Sequence, residues 1–482
     1  MLPILTTHPL PPIMPFSLKR LASSLRLSSR NEPIPILLAG WNGLPEDIFS
    51  LIIKDYLHLN QAALASLSQT CRAYAMFCRP HLLRTVCVTG APYDRTVKKP
   101  RSQLEQLKYE LKQRPQLCGA IGTLRILNTD RRMQIQTPEP RPSLTKVGES
   151  LVFVLSQTFP HLTAFELPLL ERECQWPDVS VKLQNAICSF LQRHDLQELS
   201  MTTHYPFQLV KHCPNIPKLE YRVYELSLAS LDSLNEGLLG MHRSQGSDPI
   251  GPRELVIQDP VNQATTVAKH LVQWKDYIDL KKVENIMYYG NDKPGAQLPV
   301  LLNHCSESLT SLNIYVSHSH GDAPKLDLHG LRRLKHLTLS VDRRRQGPFA
   351  LSWVVDVTKL LYSDKANAPP LETLEIVIRT SPRTIEENLR EMSYGWHGLA
   401  ASLREGSTRR GAGRGLKGLT VVVCTEEAGI SGLDYQATLG GLKRHLIPLL
   451  QFDPSVTVDV RLIKDTFERW LRFPSFGQTP LH

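Results

Sequence analysis

What the chain lacks narrows its class first. Its nine cysteines, at 71, 78, 87, 118, 174, 188, 213, 305 and 424, include no C-x-x-C pair and none in zinc-finger register with a pair of histidines, which excludes the usual small zinc modules. The number is odd and no Asn-x-Ser/Thr acceptor occurs. Both features suit a reducing interior, where cysteine behaves as a small apolar residue. No apolar run approaches the ~20 residues needed to span a bilayer, so no membrane partner is expected, and the reading is a soluble protein of the cytoplasm and/or nucleus. Walker A, H-E-x-x-H and G-x-S-x-G motifs are missing as well, which removes the common nucleotide, zinc-protease and serine-hydrolase signals.

What is present bounds the architecture. The chain has 482 residues, enough for two or three domains, or one domain plus a repeat array, at about 150 residues each. Apolar residues make up 41%, which supports a sizeable core and excludes wholesale disorder, a collagen-like chain and a small disulfide scaffold. Lys and Arg number 56 against 46 Asp and Glu, a net charge of +10. Spread over this length, that balance favours acidic partners in general without identifying nucleic acid, and no nucleic-acid partner is expected.

Proline is abundant at 35 residues, and the first forty positions show its effect. They alternate Pro with short apolar runs, which prevents helix and central strand. Lys19, Arg20, Arg26 and Arg30 sit there with Glu32 as the only acid. Such a basic, Ser-rich composition is also that of a mitochondrial transit peptide, but the prolines before Lys19 spoil the amphipathic helix import requires. Residues 1–40 are therefore expected to be a disordered tail.

The character changes at Trp41. Pro45 suits a first helical position, and Glu46 and Asp47 place negative charge at the positive end of a helix. Ile48, Ile52 and Tyr56 follow at i, i+4, i+8 as one apolar stripe. Asn60 can cap a second stretch in which Leu64, Leu67, Cys71, Ala75 and Cys78 keep helical rhythm, with Pro80 expected to end it. The outcome is a small all-helical module over residues 41–88, near the lower size limit for folding unaided.

The ordered set Leu44-Pro45-Glu46-Asp47-Ile48, Ile52, Tyr56-Leu57, Leu64, Leu67 and Cys71-Arg72-x-Tyr74 resembles the F-box. Arg79 to Val86 is similar to the sequence that often follows an F-box in fungal proteins. Thr70 stands where an aliphatic usually precedes the Cys, and Tyr74 where Trp or Phe is commoner. The resemblance implies binding to the Skp adaptor of a cullin-RING (SCF-type) ubiquitin ligase. Matched to the motif, Leu44, Pro45, Ile48, Ile52, Leu64, Leu67 and Cys71 would form the contact surface or its immediate support. By spacing alone, Ile52, Leu67 and Cys71 also suit a helical core.

Beyond residue 88, short strand-like runs recur: Leu124–Leu127, Phe165–Leu167, Leu199–Met201, Leu219–Tyr221, Leu255–Ile257, Ile286–Tyr288, Leu312–Ile314, Leu337–Leu339, Leu374–Ile376 and Leu419–Val421. Several extend to L-x-x-L-x-[LIVM], as in Leu196…Met201, Leu309…Ile314, Leu334…Leu339, Leu371…Ile376 and Leu416…Val421. Helix-capable stretches alternate with them, for example Ser150–Thr158 and Lys182–Arg193. This resembles the irregular leucine-rich repeats of some F-box proteins, in which the apolar positions point into a stacked core and the residues between them face the concave surface. The same runs also suit an ordinary α/β domain with Leu-rich strands. The expected organisation is α/β: a tail at 1–40, the F-box at 41–88, an irregular leucine-rich-repeat-like strand-helix solenoid at 89–462, and a C-terminal tail at 463–482. Polar segments at 129–146, 242–252, 317–324, 342–348 and 406–415 are read as insertions. The arginine pairs and triplet at 131–132, 343–345 and 409–410 are read as lying in solvated loops that could also meet an acidic or phosphorylated partner.

Two motifs suggest chemistry of their own. Gly413-Arg414-Gly415-Leu416-Lys417-Gly418 matches G-x-G-x-x-G, but a helix-like stretch precedes it and a strand-like run follows, the reverse of a dinucleotide site. His318-Ser319-His320-Gly321-Asp322 follows a strand-like run, as metal ligands do in metallo-β-lactamase-like hydrolases; the His expected next is Ala323. No cofactor or resident metal is expected.

The reading that unites these features is a non-enzymatic substrate-recognition subunit. Its F-box would bind the Skp adaptor and through it the cullin, while the repeat array holds an unknown protein substrate. The alternatives are a scaffold using both modules outside a ligase, and a metallohydrolase centred on His318, His320 and Asp322.

Overall fold

The structure is a computed structural model; it describes residues 51, 53, 61–70, 72–89, 103–127, 144–167, 176, 179–202, 205–213, 215–222, 249–259, 277–290, 297–316, 326, 328–342, 350–363, 368–380, 393–410, 416–426 and 432–465. The chain divides into two units, Met1–Leu199 and Ser200–His482.

In the first unit, α1 (Gln61–Thr70) and α2 (Arg72–Leu83) lead into β1 (Thr85–Thr89), α3 (Gln103–Gln113), a 3-10 turn (Pro115–Ala120), β2 (Thr123–Leu127), α4 (Leu144–Ser156), β3 (Ala164–Glu166) and α5 (Val181–Arg193). The strands pair in parallel, Thr85 opposite Thr123 and Thr123 opposite Ala164. Parallel strands need crossovers, and α3, α4 and α5 occupy the connecting stretches, α4 packing against both α3 and α5. Each helix buries a stripe at helical spacing: Leu104, Leu107 and Leu111 on α3, and Leu183, Ile187, Phe190 and Leu191 on α5. Glu105 in the first turn of α3 and Lys112 in its last complement the helix dipole. Ser180 caps α5 by accepting the Leu183 amide at 3.4 Å.

β4 (Glu198–Thr202) spans the division. The second unit continues with a 3-10 turn (Phe207–His212), β5 (Lys218–Arg222), β6 (Glu254–Asp259), a 3-10 turn (Leu280–Lys282), β7 (Asn285–Gly290), α6 (Gln297–His304), β8 (Ser311–Val316) and β9 (His336–Asp342). It ends with α7 (Ala350–Ser363), β10 (Thr373–Thr380), α8 (Ser393–Arg410), β11 (Gly418–Glu426), α9 (Gly432–Leu450) and β12 (Thr457–Asp465). From β5 to β12 every strand pairs in parallel with its neighbour in chain order.

The register of these pairs is the central fact of the unit. Leu219, Leu255, Ile286, Leu312, Leu337, Leu374 and Leu419 stand opposite one another in succession, and so do Tyr221, Ile257, Tyr288, Ile314, Leu339, Ile376 and Val421. All are buried. The repeated apolar-x-apolar triplet therefore builds two continuous apolar rows, because side chains of alternate strand residues share a face. Backbone bonds carry the same stacking into the preceding turns. The Arg253, Glu284, Thr310, Lys335, Glu372 and Lys417 amides each donate to the carbonyl one turn back, at 2.8–2.9 Å.

Nine of the ten expected strand-like runs lie wholly in strands and the tenth, Phe165–Leu167, extends one residue past β3; the chain is α/β with parallel strands. Several expectations require correction. The segments read as insertions overlap regular elements: 144–146 begin α4, Asp342 ends β9 and 406–410 end α8. α2 passes through Pro80 to Leu83 because Cys78 and Leu82 on either side are buried in its apolar cluster, and this packing offsets the hydrogen bond that proline removes. The last residues of the stretch read as all-helical, 85–88, are strand. Arg409 and Arg410 end α8 rather than lying in a loop. β12 extends to Asp465, into the stretch read as a tail. No described helix is long and apolar enough to cross a membrane.

Candidate functional site

Two places bear on the roles expected from the sequence: the α1–α2 pair and the second face of the parallel strands. α1 and α2 pack on one another around Ile53, Leu64, Cys78 and Leu82, with Leu67, Tyr74 and Phe77 against them. Of the expected adaptor residues, Leu64 is therefore in the core of this small cluster and Leu67 at its margin. Leu44, Pro45, Ile48, Ile52 and Cys71 lie outside the described residues.

On the strands, the residues between the apolar rows point the other way. One row runs Glu220, Val256, Met287, Asn313, Thr338, Glu375 and Thr420; the next runs Arg222, Gln258, Tyr289, Tyr315, Ser340, Val377 and Val422. Asp342, Arg379 and Cys424 follow in a third. Val377, Val422 and Cys424 form an apolar patch on this face, while the β5–β9 side is polar and aromatic.

Glu220 is 0% exposed. Its Oε1 accepts from Arg222 Nε at 2.8 Å and Gln258 Nε2 at 2.7 Å, as a buried carboxylate must. Tyr289 and Tyr315 stand with ring centroids 6.0 Å apart, and the Arg379 guanidinium lies over the Tyr315 ring at 5.3 Å, a cation–π arrangement. Tyr315 Oη contacts Asp342 Oδ2 at 3.4 Å and Arg379 Nη1 at 3.5 Å. Burial first, then the Glu220 carboxylate, pushes the Tyr289 hydroxyl well above its usual range, so it stays protonated and able to donate. Burial likewise raises Glu375, against the Thr338 hydroxyl that donates to it at 3.2 Å. On this face the half-buried Tyr289 and Tyr315 rings lie beside charges that are themselves buried, Glu220, Asp342 and Arg379.

Repeat-like spacing in the sequence implies a second strand face without naming its residues. Once the apolar triplets are aligned, the intervening columns can be read off directly, and that alignment was the available signal. The His318, His320 and Asp322 loop lies outside the described residues. Among the described residues no three His, Cys, Asp or Glu side chains group so as to hold a metal ion. The G-x-G-x-x-G stretch has α8 before it and Gly418 as the first residue of β11, opposite to the order a dinucleotide fingerprint requires. Burial pushes the thiols of Cys213 and Cys305 up to about 12, which makes them inert core residues.

Comparison with family models, curated proteins and solved structures finds no match to this chain.

Proposed function

We propose that this chain is the substrate-recognition subunit of an SCF-type ubiquitin ligase, with residues 41–88 as an F-box on the Skp adaptor and the parallel strands as an irregular leucine-rich-repeat-like array for a protein substrate. The observation that carries this reading is the in-register stacking of the apolar triplets from β5 to β12. A repeat array requires such rows, each unit covering the apolar side of the next. The polar and aromatic rows on the opposite face supply the surface where a substrate would lie. The α1–α2 cluster adds support, since a helical module of this size seldom folds without a partner or adjoining domain.

In this role the protein needs no catalytic residues of its own. Holding the substrate beside the charged ubiquitin carrier converts an encounter between separate molecules into a local one. The reading places the protein in the cytoplasm and/or nucleus, where the cullin machinery operates.

The test is a pull-down of the full chain from cells under proteasome inhibition. Adaptor, cullin and a ubiquitinated protein should be recovered together. Recovery of a protein partner without adaptor or cullin would instead favour a scaffold acting outside a ligase.

A further inference from the structure

We infer that a cleft at the leading ends of β6 to β9 binds a multiply charged phosphoryl anion. The cleft has a volume of about 450 Å3, within the range of small-ligand sites. Four cations line it: Arg253 just before β6, Lys281 and Lys282 on the 3-10 turn before β7, and Arg333 on the turn before β9. Glu284 is the only carboxylate among the lining residues.

These cations are brought together by the fold and are only partly neutralised there, by Glu284 and by Asp279 beside Lys282. The backbone bonds linking successive turns fix their spacing, Glu284 N donating to Arg253 O and Thr310 N to Glu284 O, both at 2.8 Å. Lys282 reaches Asp279 at 3.7 Å. Arg253, Lys281 and Arg333 form no ion pair with any described residue. Gly251 contributes by having no side chain, since a Cβ there would fall 2.2 Å from Lys282 Cδ; the lysine stem therefore lies across the glycine. The hydroxyls of Ser308 and Thr310 in the lining already donate to the carbonyls of Val283 and Glu284, at 2.7 and 3.0 Å, so recognition falls to the cations.

Charge selects the ligand class. One ligand carboxylate would leave half of the remaining positive charge uncompensated. A phosphoryl group brings a charge of about −1.5 to −2 and three strong acceptor oxygens, and the guanidinium fork matches its geometry. Four cations against Glu284 and Asp279 leave an excess of two positive charges, so balancing it takes at least one full phosphoryl group, whether on a free anion or on a modified protein segment. This inference does not rest on the ligase reading.

Calorimetric titration of the full chain tests it, with four probes: inorganic pyrophosphate, citrate, a peptide bearing two phosphoserines, and the same peptide unphosphorylated. Pyrophosphate or the phosphopeptide should bind saturably, with Kd below about 1 mM. R253Q/R333Q and, separately, K281Q/K282Q should each weaken that binding at least about tenfold, while K417Q, outside the cleft, should not. All these side chains are exposed, so the thermal midpoint should stay unchanged and report intact folding. Pyrophosphate binding as tightly as the phosphopeptide identifies a free anion as the source; a clear preference for the phosphopeptide identifies a protein segment. Absence of binding by both, equal binding of citrate, or full affinity in R253Q/R333Q would overturn the inference.

Discussion

Arg222 donates to a carboxylate that water does not reach: its Nε lies 2.8 Å from Oε1 of Glu220, itself 0% exposed. Gln258 from the neighbouring strand completes the arrangement at 2.7 Å. Replacing Arg222 by Met leaves a buried negative charge without its cation, and the expected loss is about 3 kcal/mol of stability. E220Q/R222M, which removes both charges, should recover most of that loss. Urea denaturation of R222M, E220Q and E220Q/R222M measures it, and additive losses would show that the two residues act independently.

The contact between α7 and α8 gives a prediction in which two effects oppose. Ala is about 1 kcal/mol better than Gly within a helix, so G395A would stabilise α8 if space allowed. A Cβ at Gly395 would instead lie 2.6 Å from Leu351 Cβ on α7, an atom that cannot move without its backbone. Overpacking costs about 1–3 kcal/mol. The thermal midpoint of G395A should therefore fall.

His194 makes the first unit sensitive to acid. The Phe159 amide donates to its Nε2 at 3.1 Å, and its Nδ1 lies 2.8 Å from the Phe190 carbonyl, a pattern that only the neutral ring with its proton on Nδ1 can satisfy. Burial lowers its pKa, against the Phe190 hydrogen bond and with help from Arg193. The unfolded chain, with a histidine pKa of about 6.5, then binds more protons than the folded one between that value and the lowered folded value. Stability should decline as pH falls through about 6.5 and level off below the folded pKa. Hydrogen exchange of α5 at pH 7.5 and 5.5 should show this loss of protection in wild type and a smaller difference in H194Q.

Leu64 and Leu67 separate support from surface in the helical pair. L64A removes a fully buried side chain and should cost about 2–5 kcal/mol. L67A removes a half-buried one and should cost less. Local hydrogen exchange across α1 and α2 distinguishes the two.

Much of the second unit was legible because its determinants are local. An apolar-x-apolar triplet after a leucine three residues earlier needs only strand alternation to bury both ends, and runs such as Leu337–Leu339 and Leu374–Ile376 fall in strands as read. β12 is not announced because Thr457–Asp465 alternates without that leucine, whereas β1 carries Leu83-x-x-Val86-x-Val88 but directly continues a stretch with helical rhythm. α2 was cut short at Pro80 because proline chemistry is local, whereas the packing of Leu82 is tertiary. The Tyr315–Arg379 contact bridges residues 64 positions apart, and no local pattern announces such a pair.

Leu44 and Pro45 test most directly the proposal that residues 41–88 are an adaptor-binding F-box. Truncating a central interface anchor typically costs about 1–3 kcal/mol, roughly one to two decades in affinity. L44A/P45A should therefore lose the Skp adaptor and cullin in a pull-down while keeping the protein substrate, which should then accumulate. Deletion of residues 41–88 should have the same effect more completely. Wild-type protein that never co-purifies with adaptor or cullin, under conditions where other F-box proteins do, would contradict the account.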